Sequence, residues 1–466
     1  MKRLAVIIFI IFGSFLAFSL YKTYAYDTSV VEETPSTTDL EYTFKIGNSS
    51  IKQITVDSEE TKYYDVVLGN PNPAKISYSI YYEMVSPSTK PDGFSIEYTS
   101  KSMGESTGKV DKEGNVTLNI EVINTSDSAV TVKIGSVAGY VNGGELLLES
   151  GQTLVPEKKI PATSIIETLD DGTTGDDGSG VYKVTHSAIT SGSSATGAEI
   201  PAVTDYRYYG ANPNNYICLD KEGQSTCPDR SLYRIIGSIY EENAGENLIK
   251  VIKATSLTNG STTTYAWDSN SNNIWATPTN GNYSNSLSSG ASLMPLLNSG
   301  DWWSGTNTYV NYGLTATAKS MVNTSRYYLG GYNTTIVKTT AMYGYERGTN
   351  RYDTGRPLYW DGYVGLMYPT DYGYAAGNSC ATGTNLSSYN SSCTNKDWLY
   401  NPSNWQWLMS PGSLTSDCVW GVNSSGFVDD FNISDGPGLV SPVFYLTSTT
   451  SIVDGDGSET NPYLLK

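Results

Sequence analysis

The sequence predicts an all-β sandwich followed by an α+β domain, and three observations carry that prediction. From residue 41 to about 160, apolar residues alternate with period two between turn signals, and no helical period competes. Every Trp lies beyond residue 260 and every Cys beyond residue 217, so the 466-residue chain divides into compositionally different parts. An acidic, glycine-rich run stands between them. The length suffices for two or three domains, each with its own core.

The elements follow in order. In residues 1–25, Lys2 and Arg3 precede an apolar run from Leu4 to Leu20, and Thr23-Tyr24-Ala25 offers a small-residue cleavage site. This pattern predicts an export signal, and with it an extracellular or cell-surface protein. The run is 17 residues, at the short end of what spans a bilayer, so an uncleaved anchor is the alternative and would be the chain's membrane contact. Residues 26–40 follow as a linker.

Residues 41–160 supply the sandwich. Ile76, Tyr78, Ile80, Tyr82 and Met84 share one face of a predicted strand, as do Val116, Leu118, Ile120 and Val122 of another. Gly69-Asn70-Pro71, Asn124-Thr125-Ser126 and Asn142-Gly143-Gly144 punctuate such runs. Short strands at this spacing predict an immunoglobulin-like sandwich. The stretch Gly104 to Val110 imitates two catalytic motifs, and neither fits. A nucleophile elbow needs a strand before it, a helix after it and a histidine; the surroundings are β and the sole histidine, His186, is distant. A phosphate loop needs one more residue between its glycines and a hydroxyl after Lys109.

Leu169 to Gly180, "LDDGTTGDDGSG", is of linker type, and the predicted linker covers 161–199, His186 included. Residues 200–466 then mix strands, polar loops and short helices. Leu232–Tyr240 and Asn247–Leu257 predict two strands joined by an acidic turn. Ser292–Trp303 is the best short-helix candidate. Tyr363–Ala375, the Trp405–Trp407 stretch, Cys418–Val428 and Leu439–Ser448 are strand-like.

"TKYYDVVLGNPNP" with "VTLNIEVINTS" resembles the paired strands of bacterial surface immunoglobulin-like modules. The later order of "YRIIG", "YAWD", "GLMYPTDYGYA", "WQWLMSPG", "NSSGFV" and "SPVFYL" resembles a C-type-lectin-like domain of secreted Gram-positive bacterial proteins, distantly similar to the formylglycine-generating enzyme fold. The resemblance implies an α+β C-type-lectin-like domain over 200–466, with late strands and long loops forming a ligand face. Relatives carry an arginine before the last strand where this chain has Val440-Ser441-Pro442, so that arginine's role does not transfer. On this basis Trp302, Trp303, Tyr327, Tyr328, Trp420, Asp429 and Asp430 are the candidate ligand-binding residues, and Trp405 and Trp407 are expected in the core.

Composition narrows the function. A formal charge of −18 with no basic stripe argues against a nucleic-acid partner. Thirty-seven tyrosines against nine phenylalanines fit both recognition loops and half-buried sheet faces. Cys218 with Cys227, and Cys380 with Cys393, predict local disulfides, leaving Cys418 odd. With one histidine and no Cys-x-x-Cys, no zinc site is expected, and Asp454 to Glu459 predicts a turn that holds no metal. Formylglycine-type chemistry requires a closely spaced cysteine pair, which Cys418 lacks. A two-carboxylate hydrolase would need Asp429 and Asp430, or Asp371, positioned by the fold, but the adjacent strand residues Asp429 and Asp430 point oppositely and make a poor dyad. The expectation is therefore a binding or adhesion protein, without cofactor or catalysis, whose partner is an extracellular glycan or protein; a structural envelope component is the first alternative and a formylglycine-generating-type enzyme the second.

Overall fold

The computed structural model describes residues 20–23, 40–46, 53–100, 108–140, 146–156, 158, 161–267, 293–331, 337–351, 357–412, 418–432 and 438–465. The chain is mostly β, 40% strand against 16% helix, and divides into two units, Met1–Lys159 and Ile160–Lys466. Most of the export-signal segment lies outside the described residues, as does Gly104–Thr107 of the catalytic-motif mimic.

In the first unit, Leu20–Thr23 (β1), Leu40–Ile46 (β2), Glu60–Gly69 (β4), Asn115–Asn124 (β8) and Phe94–Ser100 (β6) form one sheet in that order. Thr153–Leu154 (β10), Ile76–Ser86 (β5), Val130–Tyr140 (β9) and Gln53–Val56 (β3) form the other, with Lys109–Val110 (β7) paired to β5. The predicted alternation sets the packing. Ile76, Tyr78, Ile80 and Tyr82 of one sheet share a core with Val66, Leu68, Leu118, Ile120 and Val122 of the other. Each such aliphatic side chain contributes about 1.5 to 3 kcal/mol on burial. Asn124, fully buried, ties the sheets together by donating its amide to the carbonyls of Val56 and Ser128.

The second unit is built on an eight-stranded sheet. Gly180–His186 (β11), Val203–Tyr209 (β12), Leu232–Glu241 (β14), Tyr216–Cys218 (β13), Tyr463–Leu465 (β23) and Ile452–Asp454 (β22) follow in order, and Glu246–Lys253 (β15) joins β14 to Val443–Tyr445 (β21). Ser325–Tyr328 (β16) pairs with Tyr359–Gly362 (β17), while Gln406–Pro411 (β18), Cys418–Val422 (β19) and Val428–Asn432 (β20) form a three-stranded sheet. The β14–β15 hairpin and the β19–β20 hairpin, with Gly426 at φ +91° in its turn, follow the sequence expectation. So does the short helix, which is Leu293–Asn298 followed by a second turn at Asp301–Ser304.

Two expectations are corrected here. Residues 161–199 are not a linker: Ala162–Glu167 is helical, and β11 pairs with β12 through seven residues. The glycine-rich run folds back as turns, and Gly175, at φ +75°, lies where any Cβ would strike the Tyr182 ring. Pro369–Ala375, expected as strand, is helical and buried throughout. Pro369 occupies the first helical position, and the Asp371 carboxylate accepts the N–H of Tyr368 at 2.9 Å.

The same Asp371 belongs to a chain of buried charges. Arg207 reaches its Oδ1 at 3.0 Å and Lys250 its Oδ2 at 2.5 Å. Arg207 also donates two bonds to Asp205, which meets His186 at 2.9 Å. Burial opposes charge on both aspartates, yet Lys250 and Arg207 beside Asp371, and Arg207 and His186 beside Asp205, hold both carboxyls below their ordinary values. Burial lowers His186, whose ring stacks on Tyr343 at 3.6 Å. This set of alternating charges knits β11, β12, β15 and the Pro369 helix into one core.

Candidate functional site

An opening of about 340 Å³ in the second unit lies where β13 ends, β14 begins and β15 ends. Strand register brings these ends together: Cys218 faces Leu232, and Tyr233 faces Lys253. Its lining is Glu222, Gln224, Pro228, Asp229, Arg230, Lys253, Thr255, Thr258, Asn311 and Tyr312.

One wall is the loop between Cys218 and Cys227, whose disulfide spans nine residues. Closing a loop this short is worth roughly 2 to 3 kcal/mol in the chain-entropy account. Inside it, Asp220 Oδ1 accepts the Glu222 N–H at 2.8 Å, and Glu222 takes the left-handed conformation at φ 53°. The Glu222 carboxylate is gripped by Arg230 through both oxygens. Such a fork pairs planar groups in a fixed orientation.

The facing wall is the segment around Asn311 and Tyr312. Arg230 Nη1 donates to the Val310 carbonyl at 2.8 Å, and Thr315 donates to Asp220 at 2.8 Å, so both walls are latched to each other. Trp302, fully buried, donates its indole N–H to the Tyr312 carbonyl at 3.1 Å. The floor is Lys253, 5% exposed. Its ammonium donates to the Asp229 carbonyl at 2.7 Å and lies 5.6 Å from the Tyr233 ring centre. Burial pushes the amine down to about 8, which the Asp229 carboxylate opposes only in part.

The arrangement offers ring surface at Tyr312, amides at Gln224 and Asn311, hydroxyls at Thr255 and Thr258, and a desolvated cation. Those groups can hold a polar ligand by stacking and several directed hydrogen bonds. A second cavity, bordered by Glu242, Arg326, Tyr328 and Arg347, measures about 10 Å³ and is no larger than a water molecule requires.

The seven candidate residues from sequence do not assemble here. Trp302, Tyr327, Tyr328 and Trp420 are core residues, 0 to 4% exposed, and cannot present their faces to a ligand. The reason is size: large rings of a mostly polar segment are its means of burial, and Tyr327 finds hydroxyl partners inside at the Tyr363 and Val443 carbonyls. Trp303 is half-buried and stacked on Tyr363 at 4.7 Å. Asp429 and Asp430 are exposed on β20, where the sequence placed them, but neither lines the pocket. Trp407 is in the core as expected, and Trp405 stacks on Phe431 at 4.6 Å.

Both expected disulfides are present, Cys218–Cys227 and Cys380–Cys393, and Cys418 takes part in neither. Such bridges fit an oxidising compartment. No helix among the described residues is long and apolar enough to cross a membrane. Lys253, Glu222, Arg230 and Tyr312 escaped sequence reasoning. The available signal was the charged run "LDKEGQSTCPDR" inside and just beyond a disulfide loop. No family model, curated protein or solved structure matches this chain.

Proposed function

We propose that this is an exported recognition protein, in which an immunoglobulin-like sandwich precedes a lectin-like second unit that binds an extracellular ligand in the Lys253–Tyr312 pocket. The pocket carries the reading: it is walled by a disulfide loop and latched by Arg230 and Thr315, which fixes its shape before a ligand arrives. Preorganisation of that kind lowers the entropic cost of binding. The polar and aromatic lining suits a glycan or a protein side chain better than an apolar cofactor.

The protein acts as a binder and not as a catalyst on this reading. Lys253 meets a carbonyl, whereas amine catalysis needs a proton-transfer partner beside the nitrogen. Four of the five cysteines are held in structural bridges, whereas formylglycine chemistry uses a closely spaced pair of thiols.

The test is binding of the purified full chain to a glycan array and to a panel of purified extracellular proteins. A ligand lost on Tyr312→Ala supports the reading. Absence of any ligand in both, together with turnover of a substrate, sinks it. An altered cell envelope on deletion, with no ligand found, would assign a structural role instead.

A further inference from the structure

Four cationic side chains are buried among the described residues of the second unit: Arg207, Lys250, Lys253 and Arg347. Three of them touch a carboxylate. Arg207 has Asp205 and Asp371, Lys250 has Asp371, and Arg347 has Glu346. Lys253 instead donates to one neutral carbonyl, that of Asp229. An ammonium has three N–H donors, so two remain for the cavity it lines.

The neighbouring charges neutralise it only in part, through the Asp229 carboxylate. Arg230 and Glu222 satisfy one another through a paired contact, and the Asp229 side chain is exposed. A desolvated cation whose counter-charge is exposed and makes no direct contact is costly. A ligand that brings a carboxylate would supply the missing partner.

We infer that the pocket selects an acidic sugar, its carboxylate held by Lys253, its ring against Tyr312 and its hydroxyls on Gln224, Asn311, Thr255 and Thr258. This rests on the recognition reading above and adds the ligand's chemical class. The volume, about 340 Å³, is at the small end for ligand sites and fits a group of single-ring size.

The experiment is calorimetric titration of the full chain with glucuronate, galacturonate and N-acetylneuraminate, each against its uncharged methyl ester, and with a glutamate-containing peptide. At least one acidic sugar binds more than tenfold tighter than its ester, and Lys253→Met abolishes that preference while Lys253→Arg retains part of it. Wild-type protein supplies a second readout that needs no variant. The amine meets the Asp229 carbonyl and the Tyr233 ring, and the other titratable groups lining the same opening are Glu222, Arg230 and Tyr312. Since the amine titrates near 8, affinity for the acid falls about tenfold between pH 7 and pH 9, while affinity for the ester does not.

Equal affinity for acid and ester, or tighter binding of the peptide, overturns the inference. Either outcome leaves the recognition reading intact if Tyr312→Ala still removes binding. Failure of every probe overturns the inference, and the glycan and protein panels then decide the recognition reading separately.

Discussion

Replacing Asp371 with Asn removes one negative charge from the middle of the buried chain and changes almost nothing in volume. The side chain is 1% exposed and accepts three hydrogen bonds, from Arg207, Lys250 and the Tyr368 N–H. Two of these are charge-assisted, worth roughly 1.5 to 3 kcal/mol each. Arg207 keeps Asp205 after the change, but Lys250 loses its carboxylate and must stay charged without a partner or shed its proton. Removing one member of a buried pair costs about 3 to 5 kcal/mol, so we expect about 4 kcal/mol, close to a thousandfold in the folding equilibrium. All nine tryptophans lie in the second unit, so their fluorescence during guanidinium unfolding reports that unit selectively. A companion pair, Lys250→Met with Asp371→Leu, leaves no unpaired charge and recovers most of the loss. A loss below about 1 kcal/mol for Asp371→Asn, or no recovery in the pair, would refute the claim that this network is a mutually satisfied unit.

Three further outcomes follow from the same structure. Burial lifts the Glu346 carboxyl to about 7 against the pull of Arg347 and Thr370, so the folded state holds its proton more tightly than the unfolded chain does. Stability is then greatest below about pH 4.5 for this group and is lost through pH 7, about 3 kcal/mol in all; Glu346→Gln should remove that component of the pH slope in paired denaturation series. Lys253 has the opposite sign, since its amine is pushed down to about 8 and the unfolded chain binds the extra proton between there and its ordinary value. Lys253→Met should therefore stabilise the protein by about 2 to 3 kcal/mol at pH 7 while abolishing acidic-sugar preference, and the stability gap should close above pH 10. Replacing Cys218 and Cys227 together with Ser should lower stability by about 2 to 3 kcal/mol and weaken ligand affinity by calorimetry, whereas the same change at Cys380 and Cys393 should cost stability with affinity kept.

The fold was legible where a two-residue period met one buried face. The face of Ile76 to Tyr82 and the β14–β15 hairpin needed no tertiary information. The Pro369 helix was hidden because its residues are buried on all sides, which erases the polar stripe that marks a helical period. The strand at Gly180–His186 was masked by the glycines before it, although Val181, Val184 and His186 are buried. Four of the seven candidate site residues, Trp302, Tyr327, Tyr328 and Trp420, are buried for a related reason. Ring count signals burial as much as display, and Trp302 illustrates it: the residue serves the pocket from behind, by holding the Tyr312 carbonyl. Lys253 sits in an apolar strand sequence, "NLIKVIK", where only the register with Tyr233 reveals that its end meets a disulfide loop.

The central claim, that recognition occurs in the pocket between the Cys218–Cys227 loop and Tyr312, is tested most directly by mapping a bound ligand with paired variants. For a ligand found by array, Tyr312→Ala should abolish binding and Asp429→Ala with Asp430→Ala should leave it unchanged. Loss of binding in the aspartate pair with Tyr312→Ala unaffected would place recognition on β20 and contradict the account.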